Sequence, residues 1–372
     1  MTLDPPSRRS HLLSEHERAG ATLVDFAGWS MPVRYDSDLA EHHAVRERAG
    51  LFDLSHMAQL RLRGADAAAA ADRAFASNIA ALDVGRAKYS LLLDEDGGVL
   101  DDVVVYRLAD DDVLVIANAA NHDVVLDTVR ARTTGVAVSV DDLVDQALIA
   151  VQGPAAQRIL EATPGLDTGD LNALGYYRIT RGTWSGAEVL IARTGYTGED
   201  GVELSIEAAH APELWRALLA AGAPLGLVPA GLAARDTLRL EAGMPLYGHE
   251  LGTSIRPPQA ALARVVAAGS TAPGAEAARA ALSPDERRLV GLVGEGRRAP
   301  RAGYAIFADE TSDRAIGEVT SGALSPTLGH PVAMAYVDAG STGDGTTLYV
   351  DVRGSRIPVT VASLPFYRRK KD

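Results

Sequence analysis

The chain has 372 residues, 47% of them hydrophobic, and a formal charge of −13 with no cysteine. Its size allows two or three domains with real cores, and its acidic balance excludes a nucleic-acid binder, which needs a basic face to displace counterions. The lack of cysteine excludes disulfides, thiolate metal sites and cysteine nucleophiles, and no apolar run approaches the roughly 20 residues of a membrane span.

The opening MTLDPPSRRSHLLSEHERAG has arginines but no apolar run behind them, so it does not read as a secretory signal, and the cytoplasm is the expected location. HLLSEHERAG reads as a helix. ATLVDFAGWSMPVRY gathers Phe26, Trp29, Met31 and Tyr35 around Gly28, and rings packed near a glycine are expected in the core. DSDLAEHHAVRERAG reads as a helix whose acidic start and basic end suit its dipole. His42 and His43 are adjacent there, point to different faces, and cannot both ligate one metal. LFDLSHMAQLRLRG, residues 51–64, is strand-like and brings Asp53, Ser55 and His56 close in sequence. Neighbours in an extended chain diverge, and no G-x-S-x-G elbow exists to present a nucleophile, so a hydrolytic triad is set aside. The alanine-rich ADAAAAADRAFASN reads as the next helix.

The stretch KYSLLLDEDGGVLDDVVVYRL, Lys88 to Leu108, reads as strand, tight turn and strand. Side chains alternate across a strand, so Asp102, Val104 and Tyr106 share one face while Asp101, Val103 and Val105 share the other. Taken alone, two acids beside Gly-Gly are ordinarily solvated turn residues. VLVIANAANHDVVLDTVRART reads as a strand feeding a helix, and DQALIAVQGPAAQRIL as a strand, a Gly-Pro turn and a helix. GAEVLIARTGYTGEDGVELSIEA gives two strands around a loop punctuated by Gly195, Gly198 and Gly201, which permit close backbone approach or successive turns. On the second strand, Glu203 lies between Val202 and Leu204. It either faces water or, facing a pocket, offers a carboxylate able to accept two parallel N–H bonds from an amidine-like ring edge.

APELWRALLAAG is an amphipathic helix, and Arg235 and Arg239 fall one turn apart on the next. Such arginines most often form surface ion pairs, here with Asp236 or Glu241; the alternative is a clamp for a carboxylate. Residues 253–288 are rich in Pro, Ala and Gly and read as a helical connection. The remainder is short strands between Gly, Ser and Asp turns, a small all-β domain of barrel or jelly-roll type. Basic residues cluster at Arg297, Arg298 and Arg301 and in the terminal RRKK.

Eight segments taken together, from VDFAGW through EHHAVRERAGLFDLSHM, KYSLLL with GGVLDDVVVY, ALIAVQGPAAQ, RTGYTGEDGVEL, RDTLRLEAGMPLYGHEL and GEVTSGALSPTLG to PFYR, resemble in order the T-protein family of the glycine cleavage system. The resemblance implies an α+β, three-domain cloverleaf with a central folate cavity. Its expected divisions are residues 1–54 plus 143–252, 55–142, a linker 253–288 and a C-terminal β domain 289–372. It implies aminomethyl transfer from the lipoylated H-protein to tetrahydrofolate, with neither metal nor flavin, and Asp102 as the catalytic residue. It further implies folate binding by Met57, Tyr89, Val104, Tyr106, Tyr196, Glu203 and Arg235, with Arg301 facing the glutamate tail. The chain departs from the family pattern at Ala261–Val266, where members generally carry a tryptophan, and at Gln259, near which they carry an acid. The alternative is a folate-binding assembly factor on the same fold; those proteins resemble a cysteine-bearing K-G-C-Y-x-G-Q-E pattern, where this chain reads RLEAGMPLYGHEL.

Overall fold

The computed structural model describes residues 8–369, so the first seven residues and Lys370 and Lys371 of the basic terminal run lie outside the described residues. The chain divides into two compact units, one of residues 8–74, 78–89 and 103–236, the other of 75–77, 90–102 and 237–369. The architecture is mixed α+β, as expected, and the C-terminal strands close into a six-stranded barrel.

The first unit is built on a seven-stranded sheet. Its strands run in the order Leu166–Asp167, Ile179–Trp184, Ala187–Ala192, Gly201–Glu207, Gln146–Gln152, Ala49–Asp53 and Leu227–Pro229. Central strands such as Gln146–Gln152 are almost wholly apolar because helices Ala156–Ala162 and Ala211–Gly222 pack over them through Ile159, Leu160, Leu214, Trp215 and Leu218. A five-stranded sheet contains Arg86–Leu93, Val99–Ala109, Asp112–Ala117, Ala58–Arg63 and Ser139–Asp142, in that order. The strand-like stretch 51–64 is therefore two strands in two sheets, and the chain changes sheet at 54–57, beside Asp53, Ser55 and His56.

The aromatic stretch near Gly28 is a hairpin of Thr22–Phe26 and Trp29–Arg34 turned through Ala27 and Gly28, both at positive φ. Met31 is fully buried, but Phe26 is 36% exposed and Trp29 and Tyr35 only half-buried, which corrects the expectation of a core cluster. A hairpin with one open side buries alternate residues, so only part of the ring set reaches the interior.

In the second unit, the tip of the Arg86–Leu93 and Val99–Ala109 hairpin is reversed by Asp94. Its carboxylate accepts from Gly98 N at 2.8 Å, and its backbone N–H donates to Gly98 O at 2.9 Å. The segment 253–288 is not a run of helix. Among its described residues it holds one 3-10 turn, Ala263–Val265, and one five-residue helix, Ala275–Arg279. The rest is moulded to the hairpin tip. A Cβ on Gly98 would fall 2.0 Å from Thr253 O, one on Gly97 2.5 Å from Ala278 N, and one on Gly274 1.7 Å from Asp94 O. Val99 N donates to Gly252 O and Ile255 O at 3.1 and 3.2 Å. Contacts this close between backbones require glycine and leave no room for the side chains of a regular helix. Gln259 fastens the same segment, with Oε1 accepting from Arg256 N at 2.9 Å and Nε2 donating to Arg287 O at 3.2 Å.

Candidate active site

Along Val99–Ala109 the alternation is clear. Val99, Asp101, Val103 and Val105 are buried, while Leu100, Asp102 and Val104 are half-exposed. Asp102 and Val104 thus share the open face, and Asp101 is 0% exposed on the packed one. The hairpin tip, gripped as described above, fixes where this strand begins. Tyr247, in the same unit as both acids, has its hydroxyl pKa raised by burial and by the negative charges of Asp101, Asp102 and Asp94. Its phenol therefore stays protonated in an anionic neighbourhood.

In the first unit, Tyr106, Glu203, Tyr196 and Arg235 are brought together. Tyr106 is buried, and its hydroxyl lies 3.1 Å from Thr194 Oγ1 and donates to Glu203 Oε2 at 3.5 Å. Thr194 also donates to Glu203 Oε2. Glu203 Oε1 has no hydrogen bond among the described residues, which leaves one carboxylate oxygen available. Burial raises the Glu203 pKa, while the Thr194 bond, the Arg235 charge and the Tyr106 bond pull it down. The Tyr106 phenol is pushed up by burial and then by the Glu203 charge. The Arg235 guanidinium lies 4.4 Å from the centre of the Tyr196 ring, within cation–π range. Glu203 is therefore a half-buried acid in a polar nest, and the reading in which it merely faces water does not hold.

The glycine loop holds this nest in place, and Gly195 and Gly201 face inward. A Cβ on Gly195 would meet Gln152 Oε1 at 2.0 Å, and one on Gly201 would meet Val151 O at 2.5 Å. Buried Gln152 donates to Thr194 O and Val202 O at 3.1 and 3.3 Å and accepts from Thr197 Oγ1 at 2.9 Å. Buried Arg46 donates to Thr197 O at 2.7 Å and to Glu199 at 2.8 Å. Arg193 pairs with Asp200 through two bonds, at 3.1 and 2.5 Å. Sequence alone does not mark Thr194 or Gln152; the signal for Thr194 is its place inside RTGYTGE, between strand and glycine loop.

Met57 lines a surface pocket of about 300 Å3 with Trp29, His56, Gln59, His122 and Asp142. His56 is 2% exposed, and neither ring nitrogen has a hydrogen-bond partner among the described residues. Burial and the Arg235 charge lower its pKa to about 4. Asp53 is not part of a triad with it. The Asp53 carboxylate accepts from Ser10 Oγ and from Ser55 N at 2.8 Å and pairs with His16 Nε2 at 2.8 Å, while Tyr35 Oη lies 2.9 Å from His16 Nδ1. Burial works against its charge, but the His16, Ser10 and Ser55 contacts bring its pKa down to about 2. Tyr89 is half-buried at the end of its unit's share of the hairpin.

Arg239 is 2% exposed, contrary to the ordinary expectation of a surface residue; it binds Glu250 at 3.0 Å and donates to Ser321 Oγ at 2.9 Å. Glu241 instead accepts from Ser325 and Thr327, at 2.5 and 2.7 Å from their hydroxyls. Arg301 lies exposed on the barrel unit and donates to Gly322 O at 3.1 Å.

Residues 12–270 match the GCVT N-terminal domain family, and residues 287–368 match the glycine cleavage T-protein C-terminal barrel domain. The chain belongs to the glycine cleavage T-protein family. This transferase is 53% identical to an aminomethyltransferase of Cutibacterium acnes over 97% of its length and 99% of that relative's. It is 54% identical to one from Streptomyces avermitilis, covering 98% of each chain. Its structure resembles the glycine cleavage system aminomethyltransferase T of Bartonella henselae with a TM-score of 0.89 and 35% identity, over 98% and 99% of the two chains. The protein is an enzyme, an aminomethyltransferase of the glycine cleavage system. Among the described residues, the transferase has no helix long and apolar enough to cross a membrane.

Proposed function

We propose that this aminomethyltransferase takes the one-carbon unit from an aminomethyl group on the lipoyl arm of the H-protein and gives it to tetrahydrofolate. Ammonia, dihydrolipoyl H-protein and 5,10-methylenetetrahydrofolate are the products. The folate supplies two amines to receive the carbon. Asp102, ionised, orients the acceptor amine and stabilises the positive charge that develops on the transferred carbon as the carbon–sulfur bond breaks. The observation that carries this assignment is the alternation that leaves Asp102 on the open face of its strand and its neighbour Asp101 buried.

Glu203 accepts N–H bonds from the amidine-like edge of the pterin through its available oxygen, with Thr194 and Tyr106 holding the other. Tyr196, backed by Arg235, offers the ring an aromatic face, and Met57, Tyr89, Val104 and Tyr106 complete the contacts. Arg301 meets the glutamate tail. No step is assigned to a metal or a flavin. The divisions at 1–54 plus 143–252, 55–142, 253–288 and 289–372, and a cytoplasmic location, belong to the same reading. Ammonia release from aminomethylated H-protein, followed with and without tetrahydrofolate, tests it. The reading expects release to depend on folate with 5,10-methylenetetrahydrofolate formed in step, and folate-independent release would refute it.

A further inference from the structure

We infer that Thr194 and Gln152 are positioning residues for substrate recognition: Gln152 fixes the Thr194 hydroxyl against Glu203, so that the acid meets its ligand through one oxygen only. The inference rests on the reading of Glu203 above, and every residue it uses lies in the first unit. The direction of the hydrogen bonds follows from the protons available. Thr194 has one hydroxyl proton and gives it to Glu203 Oε2. In its 3.1 Å contact with Tyr106, Thr194 can therefore only accept, and the Tyr106 hydroxyl donates. That hydroxyl also reaches Glu203 Oε2, at 3.5 Å. Tyr106, Thr194 and Glu203 thus form a chain running towards the carboxylate, each bond polarising the next. Both donors end on Oε2, which leaves Oε1 for the ligand. Burial raises the Glu203 pKa, and the Thr194 bond is the strongest influence against it, so the same hydroxyl favours the charged acid.

Sheet pairing alone does not place that hydroxyl. The ladder between Ala187–Ala192 and Gly201–Glu207 runs from Val189 opposite Ile206 to Ala192 opposite Glu203, and Thr194 lies two residues beyond it. Gln152, 1% exposed on the strand paired with Gly201–Glu207, takes over where the ladder ends. Its two amide protons go to Thr194 O at 3.1 Å and to Val202 O at 3.3 Å, one on the arm that carries the hydroxyl and one on the residue before Glu203. Thr197 Oγ1 donates to Gln152 Oε1 at 2.9 Å and so fixes which way the amide faces. The glycines at the two ends of the loop are required by the same side chain. A Cβ on Gly195 would lie 2.0 Å from Gln152 Oε1, and one on Gly201 2.6 Å from Gln152 Nε2. A side chain that binds both arms and lies this close to both glycines sets the distance between donor and acid.

The test measures the tetrahydrofolate Kd by titration calorimetry on the full chain, in the parent and in a Glu203→Gln background. Thr194→Val keeps the side-chain shape and removes the hydroxyl; in the parent background it is expected to raise Kd by about 5- to 20-fold, and Thr194→Ser, which keeps the hydroxyl, to restore it to within about threefold. Gln152→Met, of similar length without the amide protons, is expected to weaken binding in the same direction. In the Glu203→Gln background each substitution changes Kd by less than about twofold, because residues that act through one acid lose their effect once its charge is gone. A purely structural role would weaken binding equally in both backgrounds. Equal weakening, or a Thr194→Val Kd within about twofold of the parent's, overturns the inference, while weak binding by Glu203→Gln itself leaves the reading of the acid standing. A Glu203→Gln Kd unchanged from the parent's overturns both.

Discussion

Replacing Glu203 by glutamine isolates the charge of the acid proposed to read the pterin. The shape of the side chain is kept, but only one oxygen remains. Keeping the Thr194 bond, and with it the Tyr106 contact, commits that oxygen to the inner position now held by Oε2. The amide NH2 then takes the place of Oε1 and meets the donor edge of the ligand with donors of its own. The lost interaction is a charge-assisted hydrogen bond, worth roughly 1.5–3 kcal/mol, which corresponds to a rise of about 10- to 150-fold in the tetrahydrofolate Kd. Titration calorimetry on parent and variant measures this directly, with the melting temperature as a check that the nest still folds. A variant Kd within about twofold of the parent's would refute the role given to Glu203.

His56 is neutral and buried in the folded state with a pKa of about 4, against about 6.5 when unfolded. Between those values the unfolded chain binds more protons, so this contribution to stability is complete above about pH 6.5 and lost as the pH falls. Urea unfolding at pH 7 and pH 5 should show the parent's advantage over His56→Gln shrinking by roughly 2 kcal/mol, and an unchanged difference would contradict the assignment. For Asp53, with its pKa near 2, the sign check gives stability present above about pH 4 and lost as the pH falls towards 2. Asp53→Asn at neutral pH should lower unfolding stability by about 1–3 kcal/mol because the buried Ser10, His16 and Ser55 groups lose the carboxylate oxygens they bond, and a loss under about 0.5 kcal/mol would exclude a structural role for the cluster. Arg239→Met should cost roughly 3–5 kcal/mol by stranding Glu250, and the double variant with Glu250→Leu should recover much of it. A double variant no more stable than the single one would show that the pair is not the source of the loss.

The hairpin that carries the two acids was legible because its signals are local. Asp94 and two glycines specify the reversal, and β-branched residues at a period of two specify the faces. The barrel was legible from its short strands and turn residues for the same reason. Residues 51–64 read as one strand because nothing in LFDLSHMAQL marks a break; the change of sheet at 54–57 is set by which strands pair with each half, Gln146–Gln152 and Leu227–Pro229 with one, Asp112–Ala117 and Ser139–Asp142 with the other. Segment 253–288 looked helical from its alanines, but its shape follows the hairpin tip it grips, a tertiary constraint that overrides propensity.

Within the candidate site, residue type exposed the acids and their aromatic neighbours, while the side chains that support them were hidden. Thr194 matters because two strands and a loop bring it between Tyr106 and Glu203, which are 97 positions apart. Arg239 looked like a surface residue because its partner Glu250 lies beyond the end of its helix, outside the i, i+4 spacing that a helical reading searches.

The role of Asp102 can be separated from that of its neighbour by measuring single turnover of aminomethylated H-protein with saturating tetrahydrofolate in the parent and in Asp102→Asn. With the carboxylate supplying electrostatic stabilisation in the transition state, the rate of 5,10-methylenetetrahydrofolate formation should fall by about 100-fold or more while folate binding is largely kept. An Asp102→Asn enzyme that forms product at the parent's rate would contradict the account.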